Sequence, residues 1–302
     1  MLKKLEPVIN FFKGLVIGIA NLVPGVSGGT MALVMGIYER LVEAIGRFLT
    51  NKKKRKEYFL FLLPIFLGAA AGILLLARAF SFLLSSETFA QPTYFFFIGL
   101  ILGSIPFLVT VHKDMRVRPL RVIFFLIGLG LVVLLAFVGG KDNASETFQV
   151  KYSLFNILNI TGISIRYGLW LFFCGVITSS AMVIPGVSGS AILLGLGEYK
   201  NVLNFVSELM VVQLLVFGIG ALVGIVGCAR LIDYCLKKFP SNTYYLIIGL
   251  VAASIFQVVM SSLESLSPGL LPVLLSIAAA GCGFAMAYGL GRIKGPAKKM
   301  PS

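Results

Sequence analysis

The pentapeptide Pro-Gly-Val-Ser-Gly occurs twice, at 24–28 and at 185–189, each time inside a long apolar stretch. Proline removes an amide donor and cannot comfortably continue a helix, while glycine reaches backbone shapes closed to other residues. Each copy therefore breaks a helix within sequence that otherwise reads as membrane-buried. Non-helical backbone survives at membrane depth only where protein shields it or where it lines a wet cavity. Two such breaks restrict the chain to folds in which other helices enclose them both.

Composition supports the membrane reading. The chain has 302 residues, 58% of them hydrophobic and 13% charged, with a mean hydropathy of +0.97. A water-facing surface needs about 25% charged residues. A cytosolic enzyme, a secreted disulfide scaffold and a disordered chain are excluded. At ~20 residues per crossing, little length remains for a soluble domain. The net charge of 26 − 12 = +14 would suggest nucleic acid in a soluble protein. Here the basic residues cluster between apolar segments, as in cytoplasmic loops, so nucleic acid is not an expected partner. Cys174, Cys228, Cys235 and Cys282 lie in apolar stretches without a CxxC pair and read as small buried hydrophobes. The N-terminus imitates a signal peptide, but Lys13, Asn21 and Pro24 interrupt its apolar run and a similar run recurs mid-chain. It is expected to be retained.

The two pentapeptides belong to an internal duplication. With Phe11–Val42 set above Phe172–Leu203, identities fall at Phe11, Phe12, Gly14, Ala20, Pro24 to Gly28, Leu33, Gly36 and Tyr38. Further on, Gly68, Gly72 and Arg78 match Gly220, Gly224 and Arg230, and Gly99-Leu100 matches Gly249-Leu250. We read residues 1–139 as the first repeat, 140–165 as an external linker and 166–302 as the second repeat. Basic loops mark one face: Lys52 to Lys56, the stretch from Lys113 to Arg121, Lys237 with Lys238, and Arg292 to Lys299. The positive-inside rule makes that face cytoplasmic, together with both termini. Segment 11–49 then enters and leaves from inside as a re-entrant hairpin. Three spans follow, at 58–84, 93–111 and 120–139. Segment 166–209 enters and leaves from outside, either as a re-entrant hairpin or as two full crossings, and spans 211–236, 243–260 and 270–290 follow. Three is odd, so the halves are oppositely oriented. The expected fold is an all-α, polytopic inverted-topology repeat of the kind common in secondary transporters. The first arm, 11–23, is expected to be only about 20 Å long as a helix.

After each break at Pro24-Gly25 or Pro185-Gly186 a helix begins. Its first amides lack helical partners and its N-terminus is partly positive. Asn21, Ser27, Gly28, Gly29 and Thr30 flank one start, and Ser188, Gly189 and Ser190 flank the other. Two readings are open. The hydroxyls can N-cap their helices while the glycines allow close packing. Alternatively, two facing helix starts can form an anion site. Arg78 and Arg230 occupy matched positions inside apolar spans, where an ionisable residue is costly and usually functional; each can also snorkel to an interface. Arginine suits phosphate through its parallel donors. Glu39, Glu198 and Asp233 are candidate proton carriers, with Glu43 a further acidic residue. His112 reads as a bystander. No metal-ligand cluster, nucleotide loop or nucleophile–base pair is legible, and no cofactor is expected.

The run Gly18-x-Ala20-Asn21-x-x-Pro24-Gly25-Val26-Ser27-Gly28-Gly29-Thr30, with its second copy Ser180-Ala181-x-x-x-Pro185-Gly186-Val187-Ser188-Gly189-Ser190, resembles the undecaprenyl-phosphate translocases of bacterial plasma membranes (the PopT type). The likeness covers nearly the whole chain. It implies return of the lipid carrier phosphate from the outer to the inner leaflet for envelope synthesis such as peptidoglycan. The resulting expectation is an alternating-access lipid flippase rather than an enzyme, with undecaprenyl phosphate and membrane lipid as partners and protons as a candidate co-substrate. Two alternatives stand beside it. One is a small-anion or ion transporter. The other is an undecaprenyl-pyrophosphate phosphatase, whose PGxSRS motif would place arginine where this chain has Gly28 and Gly189.

Overall fold

Apolar runs too long for a soluble domain set the helices, and proline–glycine breaks set their ends. A computed structural model describes residues 2–21, 26–86, 88–110, 114–138, 164–208, 210–263 and 269–293. These residues form twelve α-helices. In the first half they are α1 (Leu2–Ala20), α2 (Gly28–Val34), α3 (Tyr38–Arg47), α4 (Arg55–Ser85), α5 (Ala90–Thr110) and α6 (Pro119–Val138). In the second half they are α7 (Ile165–Val183), α8 (Gly189–Gly195), α9 (Tyr199–Ser207), α10 (Val211–Lys238), α11 (Pro240–Leu263) and α12 (Leu270–Ile293). Six stretches, in α4, α5, α7, α10, α11 and α12, are long and apolar enough to cross a membrane. Large side chains such as Leu74, Leu75, Leu222 and Leu270 lie exposed on their outer faces. In water such a surface would aggregate; in a bilayer it is the solvated face. The protein is a multi-pass, all-α membrane protein.

Pro24, Gly25, His112, Lys113 and the linker residues 140–163 lie outside the described residues, as does the side chain of Arg78. The first arm differs from its expected length. α1 starts at Leu2 and spans 19 residues, or about 28 Å. Glu6, in its second turn, pairs with Arg40 of α3.

The duplication recurs in the backbone. α2 and α8 each contain seven residues. Each ends in the same glycine cap: Gly36 has φ +59° and Gly197 has φ +75°. Gly36 N–H donates to Leu33 O and Ile37 N–H to Ala32 O, while Gly197 N–H donates to Leu194 O and Glu198 N–H to Leu193 O. This is the Schellman pattern, which needs a left-handed residue and so favours glycine. Each hairpin is thus three helices, with a second break that the sequence reading did not expect.

α1 lies along α4, and α7 lies along α10. A Cβ on Gly68 would meet Phe11 O at 2.0 Å, and one on its counterpart Gly220 would meet Phe172 O at 2.2 Å. Backbone contact of this kind is how membrane helices gain dispersion energy, since lipid gives them no hydrophobic drive to associate. α5 packs along α12 and α6 along α11. Under the duplication α5 corresponds to α11 and α6 to α12, so these two pairs exchange into each other. The buried core joins the first bend to the central helices: Met31 and Leu33 of α2 pack with Ile101 of α5 and Val251 of α11.

On the basic face, buried Arg121 organises the α5–α6 loop. It donates to the Asp114 carboxylate at 2.5 Å and to Arg116 O at 2.7 Å. Ser241 Oγ of α11 donates to Asp114 O at 2.8 Å, and Tyr245 Oη donates to Met115 O at 3.1 Å. The Arg121 guanidinium holds the Asp114 carboxyl below the usual carboxylate range. A lowered folded-state value means that the ion pair stabilises the protein above the unfolded value of about 3.9 and is lost as pH falls through the folded one. Melting of the detergent-solubilised protein should therefore show an acid-side loss of stability that Asp114→Asn removes. An unchanged pH profile in the variant would show that this pair makes no such contribution.

Candidate functional site

Ser27 N-caps α2 in extended geometry, with Oγ accepting from Thr30 N–H at 3.2 Å. Asn21 Oδ1 accepts from Gly28 N–H at 2.9 Å. Two of the four free amides of this short helix are thereby satisfied from within the chain. Ser27 Oγ and Thr30 Oγ1 lie 2.9 Å apart.

The second bend meets the first at these hydroxyls. Gly186 N–H donates to Thr30 Oγ1 at 2.8 Å and to Ser27 Oγ at 3.1 Å. Tyr38 Oη donates to Val183 O at 3.2 Å. A Cβ on Gly29 would lie 3.1 Å from Val183 O and 3.2 Å from Pro185 N, so a larger residue there would push on the second bend by a few tenths of an ångström. Gly186 has φ +83° and is pressed against Leu250 O of α11. Ser27 and Thr30 are buried. At such a site an unpaired amide would cost several kcal/mol, and the two hydroxyls remove that cost. The cap reading of Ser27 describes its role in this conformation, and its hydroxyl also fastens the opposite bend. Gly28 is half-buried and Gly189 buried. Ser188 and Ser190 face outward from the bend, their hydroxyls 2.8 Å apart.

Two features adjoin the paired bends, and a third lies apart from them on α10. An apolar cavity of about 450 Å³ runs between α6, α10 and α11 and reaches Tyr38, Ile184 and Pro185. Glu198 is buried next to the second glycine cap; Tyr167 Oη, Trp170 Nε1 and Asn201 Nδ2 donate to its carboxylate at 2.9, 3.0 and 2.9 Å. All three donors are uncharged. Its counterpart in the first repeat is the buried, apolar Ile37. Finally, Arg230 sits where α3 crosses α10: its Nε donates to Gly46 O at 2.9 Å.

The chain matches the undecaprenyl phosphate translocase-like family over residues 17–267, a stretch that holds both bends. It belongs to that family. A polyprenyl-phosphate transporter of Staphylococcus aureus is 32% identical over 293 residues, covering 94% of this chain and 96% of that protein. A polyprenyl-phosphate transporter of Vibrio cholerae is 29% identical over 268 residues, covering 84% of this chain and 78% of that one. No solved structure matches the chain.

Within this translocase-like chain, the sequence-derived candidates divide into separate places. Asn21, Ser27, Gly28, Gly29, Thr30, Gly186, Ser188, Gly189 and Ser190 collect at the paired bends. Arg230 and Asp233 lie on α10 near its basic end. Asp233 accepts from Arg47 Nε and from Lys237 Nζ, both at 2.6 Å, tying α3 to α10. Glu39 lies in the first turn of α3. Tyr38 was missed as a site residue although it is one of the repeat identities. Two of the donors around Glu198, Trp170 and Tyr167, were missed because they lie 28 and 31 residues upstream, on another helix.

Because Thr30 Oγ1 and Ser27 Oγ accept the same amide hydrogen, Thr30→Val alone should cost under about 1 kcal/mol. The Ser27→Ala/Thr30→Val double variant orphans the Gly186 amide and should cost more than the sum of the singles, in the range of about 1–3 kcal/mol. A double-mutant cycle measured by denaturation in mixed micelles checks this; strictly additive singles would mean the bridge does not act as one unit.

Proposed function

We propose that this protein carries polyprenyl phosphate, undecaprenyl phosphate in particular, from the outer to the inner leaflet of the bacterial plasma membrane, with both termini cytoplasmic. The observation that carries this reading is the direct bond between the two bends, Gly186 N–H to Ser27 and Thr30. Family membership and the polyprenyl-phosphate transporters among its relatives support the substrate.

In this reading the two repeats are inverted, and the bonded bends represent the closed state. When the bends part, a phosphate oxygen replaces the hydroxyls as acceptor for Gly186 N–H, and the Ser27 and Thr30 hydroxyls turn from acceptors into donors toward the phosphate. Asn21, Gly28, Gly29, Ser188, Gly189 and Ser190 complete the polar lining. Pro24, Gly25, Pro185 and Gly186 serve as hinges. The exchange substitutes one set of hydrogen bonds for another, so the headgroup gives up hydration without entering a bare apolar interior. The isoprenoid chain keeps to lipid and to the apolar cavity beside Ile184 and Pro185. Arg78 and Arg230 attract the headgroup at opposite entrances, and rocking of one repeat against the other alternates access.

Inward movement of a negative phosphate opposes an inside-negative potential by about 2.3 kcal/mol per charge per 100 mV. A co-transported proton offsets this. Of Glu39, Glu198 and Asp233, Glu198 suits the role best, because its partners are neutral donors that tolerate either protonation state after a hydroxyl or amide turns.

In proteoliposomes, Ser27→Ala/Thr30→Val should lower leaflet exchange of undecaprenyl phosphate about tenfold or more, equivalent to raising the barrier by about 1.4 kcal/mol. Wild-type exchange by a folded double variant would sink the assignment of these hydroxyls. Glu198→Gln should retain exchange without a gradient and lose its acceleration by an imposed proton gradient; a variant that still responds to the gradient removes Glu198 from the coupling.

A further inference from the structure

A basic concavity lies away from the bends. A cavity of about 650 Å³ opens where the end of α3 and the α3–α4 loop face the last turns of α10, lined by Arg47, Asn51, Lys52, Lys53, Arg230 and Asp233, with Thr50 and Tyr234 completing it. Its volume falls within the range of ligand sites, about 300–1,000 Å³.

The charges do not cancel. Four cations and one carboxylate line the cavity, 4 − 1 = +3. That carboxylate is already engaged on two sides: Asp233 accepts from Arg47 Nε at 2.6 Å and from Lys237 Nζ at 2.6 Å. Lys237 is further engaged by Glu43 at 3.2 Å. Asp233 therefore does not neutralise Arg230, Lys52 or Lys53. Among the described residues, the guanidinium of Arg230 makes one hydrogen bond, through Nε to Gly46 O. That bond fixes the group and leaves both terminal nitrogens for a ligand. The tether needs the close approach of α3 and α10 at Gly46, where a Cβ would lie 2.8 Å from Arg230 N. An arginine held by its inner nitrogen, in a lining that also holds two lysines, matches the several oxygens of a dianion better than it matches a carboxylate.

We propose that this cavity is a second, surface-proximal binding site for a phosphate monoester, separate from the paired bends. In the translocation reading, on which the choice of ligand rests, it receives the lipid headgroup at the cytoplasmic mouth once the bends release it. Free inorganic phosphate has the same chemistry and is the alternative source. The net positive charge of the lining acts over roughly a Debye length, about 8 Å at physiological salt, so it favours an anion that has reached the cavity mouth.

The test uses the full-length protein in nanodiscs made of zwitterionic lipid. Binding of farnesyl phosphate and, separately, of inorganic phosphate is followed by titration calorimetry for the wild type, Lys52→Gln/Lys53→Gln and Lys52→Arg/Lys53→Arg. The proposal expects the glutamine pair to weaken phosphate-monoester binding about tenfold, the arginine pair to restore it, and added salt to weaken the wild type more than the glutamine pair. Tighter binding of farnesyl phosphate than of inorganic phosphate assigns the ligand to the lipid, and equal binding assigns it to the free anion; both uphold the site. Unchanged affinity in a glutamine pair with wild-type melting overturns it. In that case, continued leaflet exchange by the same variant in proteoliposomes shows that the translocation reading survives alone, whereas absence of exchange in the wild type removes that reading instead.

Discussion

A backbone amide placed deep among membrane helices has few acceptors within reach, and the Gly186 N–H finds two of them on the other half of the chain. Much of the centre of the molecule follows from that bond. It requires Ser27 at the cap of α2, Thr30 one turn on, and Gly29 between them to let the second bend approach. It also requires a left-handed residue at Gly186, pressed on α11. The net worth of such a hydrogen bond is small, about 0.5–1.5 kcal/mol, whereas leaving the group unpaired costs more. An interaction with that asymmetry is easy to exchange and hard to abandon. It suits a joint that opens only when another acceptor takes the place of the hydroxyls.

The duplicated backbone carries unequal chemistry. The two bends share their pentapeptide, their seven-residue helices and their glycine caps. Yet Thr30, which accepts from the opposite bend, has Ala191 as its counterpart, and Asn21, which caps α2, has Met182. The first repeat thus supplies buried acceptors, while the second contributes the donor amide and keeps Ser188 and Ser190 outward. The same asymmetry appears seven residues later. The residue after the glycine cap usually seals the cap with an apolar contact. Ile37 does so in the first repeat, whereas the second buries a carboxylate, Glu198, with three donors arranged around it. A carboxylate at a position that otherwise takes a hydrocarbon costs desolvation, and the three donors offset that cost.

The fold class was legible because apolar length alone identifies membrane helices, and the twin breaks were legible because proline–glycine has no quiet role inside an apolar run. The second break in each hairpin was not. Gly36 and Gly197 were visible as repeat identities, but glycine in a membrane helix more often serves close packing, as at Gly68 and Gly220. Only the backbone angle separates the two uses. The start of α1 was misplaced because Lys3, Lys4 and Glu6 interrupt its apolar run, although Leu2, Leu5, Ile9 and Phe12 keep helical spacing. At the paired bends, sequence pointed to the hydroxyls but not to their direction. Whether Ser27 faces a chamber or an amide 159 residues away depends on how the halves dock, and no local pattern encodes that.

Helix α10 connects the separate features. One side presents Arg230, Asp233 and Tyr234 to the basic cavity, and the other presents Cys228, Leu231, Ile232 and Cys235 to the apolar one. Toward its start, Gly220 and Gly224 seat it against the backbone of α7, the helix that leads directly into the second bend. A rigid helix held so closely cannot tilt without carrying its neighbours with it. In the proposed cycle, a motion that draws Gly186 away from Ser27 and Thr30 would act, through α7 and α10, on the walls of both cavities. A basic mouth and an apolar groove that change together are suited to a ligand with a charged head and a long hydrocarbon chain, because neither part could move far while the other stayed fixed.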